Sequence, residues 1–234
     1  MSSRDLAWQA RSSVWQKVLH SLGACVLALA LVLGDHSPVA SEPNWEVGLL
    51  HAARLETTYR GGLVTPPLSK PRFTLTDTAG APFEFWKKTL GHVTLLFFGY
   101  TRCPGECPLH MANIAAGLQT MPAGLARQVK VVFVTTDPAR DSPPVLRAWL
   151  GHFDERFIGL TGSEAAIGLA QKATGVSSAR KVALATGNYA VGHASFVLAY
   201  TKDNLAHLIY PSGVMQEDWA HDLPHLVNEV WSSR

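Results

Sequence analysis

The sequence predicts an α/β fold in which a central mixed sheet is flanked by helices, and three features carry that expectation. Residues 93–98 and 129–134 are continuous apolar runs, the pattern of parallel strands buried on both faces. Residues 108–118 lie between them with helical spacing, so the centre of the chain reads strand, helix, strand. Residues 196–200 and 206–209 then read as a hairpin around Asp203-Asn204.

The remaining elements follow in order. Residues 73–76 alternate like a strand, and Asp77-Thr78-Ala79-Gly80 reads as a turn. Strand 93–98 runs into Gly99-Tyr100-Thr101-Arg102-Cys103-Pro104-Gly105-Glu106-Cys107-Pro108, and the helix over 108–118 follows. After the second strand, Asp141-Ser142-Pro143 opens another helix, capped by Asp141 or Ser142 with proline in its first turn. A short strand is expected over 157–160, a helix over 163–174 ended by Gly175, and a long polar loop over 176–191. The closing helix is expected from 222 to about 231. This order is a thioredoxin-like layout with inserts.

Ahead of this body, residues 41–72 are punctuated by Gly61-Gly62 and Pro66-Pro67 and read as a tether with one short helix over 48–59. The N-terminus reads as an export segment. Arg4, Arg11 and Lys17 outweigh Asp5, and an uncharged run fills residues 22–34. Thirteen residues suit a signal-peptide core, whereas a spanning helix wants about 20. Extending the run back to Val18 gives seventeen and keeps an uncleaved anchor open. Pro38-Val39-Ala40-Ser41 offers small residues for cleavage, while Leu22-Gly23-Ala24-Cys25 departs from a lipoprotein box because the apolar run follows its cysteine. The expected division is a signal peptide or membrane anchor over 1–40, a tether over 41–72 and the folded domain over 73–234. With the positive flank held inside, the domain faces the extracytoplasmic, periplasmic side, anchored or secreted.

A net charge of +2, with 47% hydrophobic and 16% charged residues, suits one globular core and contains no basic block that would mark a nucleic-acid partner. Only three cysteines occur, one of them Cys25, so the body holds a single pair and is no disulfide-stapled miniprotein.

That pair, Cys103 and Cys107, stands at a strand-to-helix junction, where it can bind a thiophilic metal, close a disulfide, or do both. On a regular helix, four residues would set the α-carbons roughly 6 Å apart. That falls inside the disulfide range of about 4.4 to 6.8 Å. Pro108 disfavours helical geometry at Cys107 and suits a first turn, so the expected form is a tight loop over 103–107 bending at Gly105. Near a helix N-terminus, unpaired N–H groups and the dipole favour thiolate, the form that binds metals and attacks disulfides.

Two thiolates leave a metal site incomplete, and ten histidines compete to complete it. His193 is preferred because it directly precedes an apolar strand, at the sheet edge where open α/β folds place ligands. His110, three residues beyond Cys107, is the rival. His221 and His225 have the i, i+4 spacing of a zinc pair, but Asp222 as cap and Pro224 between them predict that they do not share a helix face. Two cysteines and a histidine make a soft, low-coordinate set: thiolates favour Cu(I) and Zn(II), imidazole adds affinity for Cu(II), and a closed structural zinc site wants a fourth ligand.

Four stretches carry a family likeness: Phe73-x-Leu75-x-Asp77-x-x-Gly80; Phe98-Gly99-Tyr100-Thr101-x-Cys103-Pro104-x-x-Cys107-Pro108; Asp137-Pro138-x-Arg140-Asp141-x-Pro143; and His193 ahead of its strand. Over about residues 61–231 the chain resembles the Sco/SenC family of copper-binding thioredoxin-like proteins. The resemblance implies a membrane-tethered extracytoplasmic protein that binds copper through Cys103, Cys107 and His193. It further implies help in assembling the CuA centre of cytochrome c oxidase, as metallochaperone, as thiol reductant of that site, or as both. The implied partners are the oxidase subunit carrying CuA and other copper carriers or thiol-disulfide proteins. The chain departs from the family pattern at Gly105 and Gly192, where acidic residues are common, and at Met111, where leucine is usual. Asp137, Arg140 and Asp141 read as a strand-end turn and helix cap.

The alternative is a thiol-disulfide oxidoreductase working through Cys103 and Cys107. General oxidoreductases of this layout have two residues between their cysteines and a cis-proline facing them; here there are three, and Gly192-His193-Ala194 has no proline. A peroxiredoxin would place a threonine three positions before its cysteine, and Thr101 is two before Cys103.

Overall fold

The computed structural model describes residues 58–185 and 187–231. The apolar run at 22–34, Cys25, the small residues at 38–41 and most of the helix expected over 48–59 lie outside the described residues. Among the described residues no helix is long and apolar enough to cross a membrane.

The described chain runs β1 (Gly62–Ser69), β2 (Thr74–Asp77), β3 (Pro82–Glu84), α1 (Phe85–Thr89), β4 (Val93–Gly99), α2 (Glu106–Gln119), α3 (Ala123–Ala126), β5 (Val129–Thr135), α4 (Pro143–Gly151), β6 (Ile158–Thr161), α5 (Glu164–Ala173), β7 (Arg180–Ala183), β8 (Tyr189–Gly192), β9 (Val197–Tyr200), β10 (Leu205–Tyr210) and α6 (Gln216–Asn228). One sheet has the strand order β1-β10-β9-β4-β5-β6-β2-β3, and β7 with β8 forms a separate two-stranded ribbon. The β4–β5 and β5–β6 pairs are parallel and β4–β9 is antiparallel, giving the mixed sheet expected from the sequence.

The apolar runs are explained by what lies on either side of them. Leu95, Phe97, Val131 and Phe133 join Ile114 of α2, Leu150 of α4 and Trp219 of α6 in one core. Their alternating neighbours Leu96, Phe98, Val132 and Val134 join Phe85 of α1 and Ile167 of α5 in the other. Both faces are buried along residues 95–98 and 131–134, so the pattern there does not alternate to polar.

The closing helix starts six residues earlier than expected, at Gln216, with the Met215 N–H held by Asp218 Oδ2 at 3.0 Å. Pro224 lies inside this helix. An interior proline costs about 3 kcal/mol. Trp219, Leu223 and Leu226 are fully buried on the same helix. Each such burial is worth about 1.5 to 3 kcal/mol, so packing outweighs the break. A consequence is that His221 and His225 do share one helix, contrary to the sequence expectation.

The folded body also begins earlier than Phe73. β1 pairs antiparallel with β10 at the sheet edge, and its register shifts between Leu63 and Leu68, across Pro66-Pro67. An edge strand tolerates prolines because one row of N–H groups has no partner strand. Just beyond, the buried Lys70 amine donates to the Thr89 carbonyl and Thr94 Oγ1, both at 3.3 Å, and burial draws it down to about 8. Residues 62–70 are therefore structural and not tether.

α2 and α6 touch where Gly117 faces Trp219. A Cβ at Gly117 would lie 2.7 Å from Trp219 Cβ and 3.1 Å from its backbone carbon. Gly117→Ala gains about 1 kcal/mol of helix propensity, yet backbone cannot swing aside as a side-chain tip can. The variant is expected to lose about 1 to 3 kcal/mol net. Urea denaturation checks this, and a stabilised variant would show that the two helices separate freely.

Candidate metal centre

β4 ends at Gly99 and delivers Tyr100, Thr101 and Cys103 to the mouth of the fold. The Cys103 N–H donates to the Tyr100 carbonyl at 3.2 Å, turning the chain, and α2 starts at Glu106 with Gly105 as N-cap. Cys107 thus sits inside the first helical turn, and the loop expected over 103–107 is two residues shorter. Pro108 is compatible because a first-turn N–H has no helical acceptor to lose. Gly99 makes room underneath: a Cβ there would lie 2.8 Å from Cys107 Sγ and 2.7 Å from the Phe97 ring.

His193 arrives from the other side of the chain. The stretch read as a long polar loop contains the β7–β8 ribbon, paired from Arg180↔Gly192 to Ala183↔Tyr189, and His193 follows its last residue. Its Nδ1 lies 2.9 Å from the Ala194 carbonyl and its Nε2 lies 3.4 Å from Cys107 Sγ. Placing the Nδ1 proton on that carbonyl leaves Nε2 directed at the sulfurs. Phe97 and Tyr100 meet the imidazole edge-on, at 5.9 and 5.6 Å between centroids, and fix its plane. The ligand atoms of Cys103, Cys107 and His193 all lie within 4.8 Å of one another. Three donors about 2.0 to 2.3 Å from a common ion stand about 4 Å apart, so small side-chain rotations suffice to close on one.

His110 is not in this cluster. It is buried, its Nε2 lies 3.3 Å from the Ser195 carbonyl, and burial lowers its pKa. Its part is to hold the segment after His193 against α2.

The two thiols differ in kind. Both are free. Hydrogen bonding from Cys107, above all, holds Cys103 down to about 3; burial opposes this, while His193 and the N–H groups of Cys107 and Gly105 add to it. The Cys107 N–H lies 3.5 Å from Cys103 Sγ. Burial, then the neighbouring Cys103, pushes Cys107 up. Burial disfavours a charged His193, but Cys103 and the Ala194 carbonyl outweigh it and raise its pKa. The centre thus pairs a half-buried, more acidic sulfur at Cys103 with a buried, less acidic one at Cys107, and His193 lies beside them.

What supports the cluster was only partly visible in sequence. Asp141 is not the cap of α4; that position is Ser142, whose side chain makes no capping bond. Asp141 is fully buried instead and accepts from the Thr101 N–H at 2.9 Å, Thr101 Oγ1 at 2.6 Å and Thr135 Oγ1 at 2.7 Å. It therefore pins the chain two residues before Cys103. Asp137 accepts from Tyr189 Oη at 2.8 Å and from Arg140 Nε, while the Arg140 guanidinium lies 3.7 Å over the Tyr189 ring. That knot ties the ribbon carrying His193 to the end of β5. The aromatic residue at 189, three before Gly192, was the available signal.

Comparison with known proteins identifies the family. The SCO1/SenC family model matches residues 64–228. The mitochondrial SCO1 protein of Saccharomyces cerevisiae is 36% identical over 114 residues, covering 47% of this chain and 38% of that protein. An SCO2-like protein of Rickettsia felis is 34% identical over 131 residues, covering 53% of this chain and 60% of that protein. The chain thus spans 38 to 60% of the length of these two relatives. The structure of Bradyrhizobium japonicum ScoI with copper bound superposes with a TM-score of 0.60 at 31% identity, covering 68% of this chain and 99% of that one. With the family match extending from β1 to the last residue of α6, and the thiol pair and His193 inside it, the chain belongs to the SCO1/SenC family.

Proposed function

We propose that the chain binds one copper ion through Cys103 Sγ, Cys107 Sγ and His193 Nε2 and hands it to the CuA site of cytochrome c oxidase. The observation that carries this reading is the convergence of two sulfurs and one imidazole nitrogen within 4.8 Å, from elements 86 residues apart in sequence. Thiolates and imidazole suit Cu(I) and also accept Cu(II). A partly exposed centre of three ligands leaves a side from which an incoming thiolate can take the ion. Residues 1–40 in this reading export or anchor the chain, so that the domain works on the extracytoplasmic side of the membrane. The oxidase subunit and other copper or thiol-disulfide carriers are the proposed partners.

Anaerobic titration with Cu(I) and Cu(II), followed by ligand-band spectroscopy, tests the centre. One equivalent of Cu(I) should bind, and Cu(II) bound at this centre should show thiolate-to-copper charge transfer. His193→Ala should weaken binding by more than the roughly 10 to 100-fold cost of losing an outer hydrogen-bond partner. Wild-type retention by His193→Ala would remove the three-ligand site.

The unequal thiols favour a second reading, reduction of a disulfide in a partner. The Cys103 thiolate would attack one sulfur, expelling the other as thiolate. Cys107 would then lose its proton and attack Cys103 Sγ, releasing the reduced partner and leaving a Cys103–Cys107 disulfide, with two electrons passed. Turnover of a disulfide substrate that survives His193→Ala would favour this activity over copper transfer.

A further inference from the structure

The early start of α6 brings together two histidines that the copper centre does not use. His221 and His225 are exposed and four residues apart on one helix, with ring centroids 5.2 Å apart at 49°. Neighbours at i, i+4 share a helix face, and two histidines at that spacing are a recognised zinc-binding arrangement. We propose that His221 and His225 form a second, nitrogen-donor site for a divalent transition-metal ion such as Cu2+, Zn2+ or Ni2+.

Both rings are held by the fold. His221 Nδ1 lies 2.8 Å from Asp222 Oδ1. Asp222 is itself fully buried and anchored, accepting from the Arg60 N–H at 2.8 Å, the Gly61 N–H at 3.1 Å and Tyr210 Oη at 2.9 Å. A carboxylate on Nδ1 fixes the tautomer, orients the ring and makes Nε2 the better donor, which is the outer hydrogen bond that metal-binding histidines commonly carry. The His225 ring packs edge-on against Tyr59, 6.2 Å between centroids at 78°. Its nitrogens take part in no hydrogen bond among the described residues. Glu217 stands one further step of four back along the same ridge of α6 and supplies negative charge beside His221.

The donor set decides which ions it selects. Two imidazoles completed by water lack the soft sulfur that holds Cu(I), and they suit the borderline divalent ions, Cu2+ most strongly in the usual affinity order. The molecule then carries two sites of opposite preference, thiolate for the reduced ion and imidazole for the oxidised one.

The test uses the full chain with the thiol centre silenced, Cys103→Ser/Cys107→Ser/His193→Ala, titrated with Cu2+ and separately with Zn2+ by calorimetry near neutral pH, with Cu2+ electron paramagnetic resonance in parallel. One equivalent of either ion should bind, with nitrogen hyperfine structure for Cu2+. Adding His225→Ala or His221→Ala should weaken binding at least about 10-fold and remove one nitrogen from the spectrum. Because these side chains are exposed, circular dichroism should be unchanged. In the silenced background, Cu2+ should broaden the imidazole proton resonances of His221 and His225 first. Absence of binding, affinity within twofold after both substitutions, or broadening confined to other histidines would each overturn the site.

Discussion

Replacing Cys107 with alanine is expected to abolish Cu(I) retention and, in the same molecule, to return Cys103 towards ordinary thiol acidity. The second effect follows because hydrogen bonding from Cys107 is the largest influence holding Cys103 down to about 3, ahead of His193 and the backbone N–H groups. Alanine removes the S–H donor and one of the three proposed metal ligands together. In the reduced wild type, iodoacetamide should modify Cys103 at nearly constant rate between about pH 5 and 8, since its thiolate is already formed; in Cys107→Ala the rate should fall steeply on the acid side. The linkage has a definite sign. A thiol with a lowered folded-state pKa stabilises the fold fully above its unfolded value, about 8.5, and that contribution fades as pH falls towards about 3. The raised His193 acts oppositely, contributing fully below its unfolded value of about 6.5 and losing that contribution as pH rises through its folded value. Urea midpoints against pH should therefore climb less steeply on the acid side in Cys107→Ala than in wild type. Unchanged alkylation of Cys103 at pH 5 would assign its acidity to the helix N-terminus and His193, and undiminished copper binding would sink the three-ligand centre.

The central strands were legible because both their faces are buried, and the thiol pair because its prolines and glycine mark the junction. His193 stands out among ten histidines because it follows a polar loop and directly precedes an apolar strand, and the structure pairs that strand, β9, with β4, which leads to the cysteines. Local rules misled where tertiary packing outweighed them. Pro224 reads as a helix boundary, and only the burial of Trp219, Leu223 and Leu226 shows why α6 passes through it. Gly61-Gly62 and Pro66-Pro67 read as a tether, and only an open sheet edge beside β10 makes a strand of residues 62–69. Asp141 and Ser142 are equal candidates for the cap of α4 in sequence, because cap and buried anchor look alike there. Which of the two it is depends on Thr101 and Thr135, residues brought near by the parallel pairing of β4 with β5.

Asp141→Ala should be the most destabilising single change near the centre and should also speed copper release. The carboxylate is fully buried and accepts three hydrogen bonds, so its removal leaves the Thr101 N–H, the Thr101 hydroxyl and the Thr135 hydroxyl without their acceptor. Bonds to a charged acceptor are worth about 1.5 to 3 kcal/mol each and are not additive, which places the loss at about 3 to 5 kcal/mol. For a domain of this size that lowers the melting temperature by roughly 6 to 20 °C. Release follows because Thr101 lies two residues before Cys103, and a loop freed there no longer holds the sulfur opposite His193 Nε2. Asp141→Asn separates the two roles. It keeps the shape and part of the hydrogen bonding while removing a negative charge that helps to push Cys107 up. That variant should therefore lose less stability and deprotonate Cys107 more readily. Transfer of Cu(I) to a competing chelator should be fastest from Asp141→Ala and no faster than wild type from Asp141→Asn. Equal acceleration in both would mean that the charge, and not the pinned loop, controls release; a folded Asp141→Ala with wild-type release would confine Asp141 to stability.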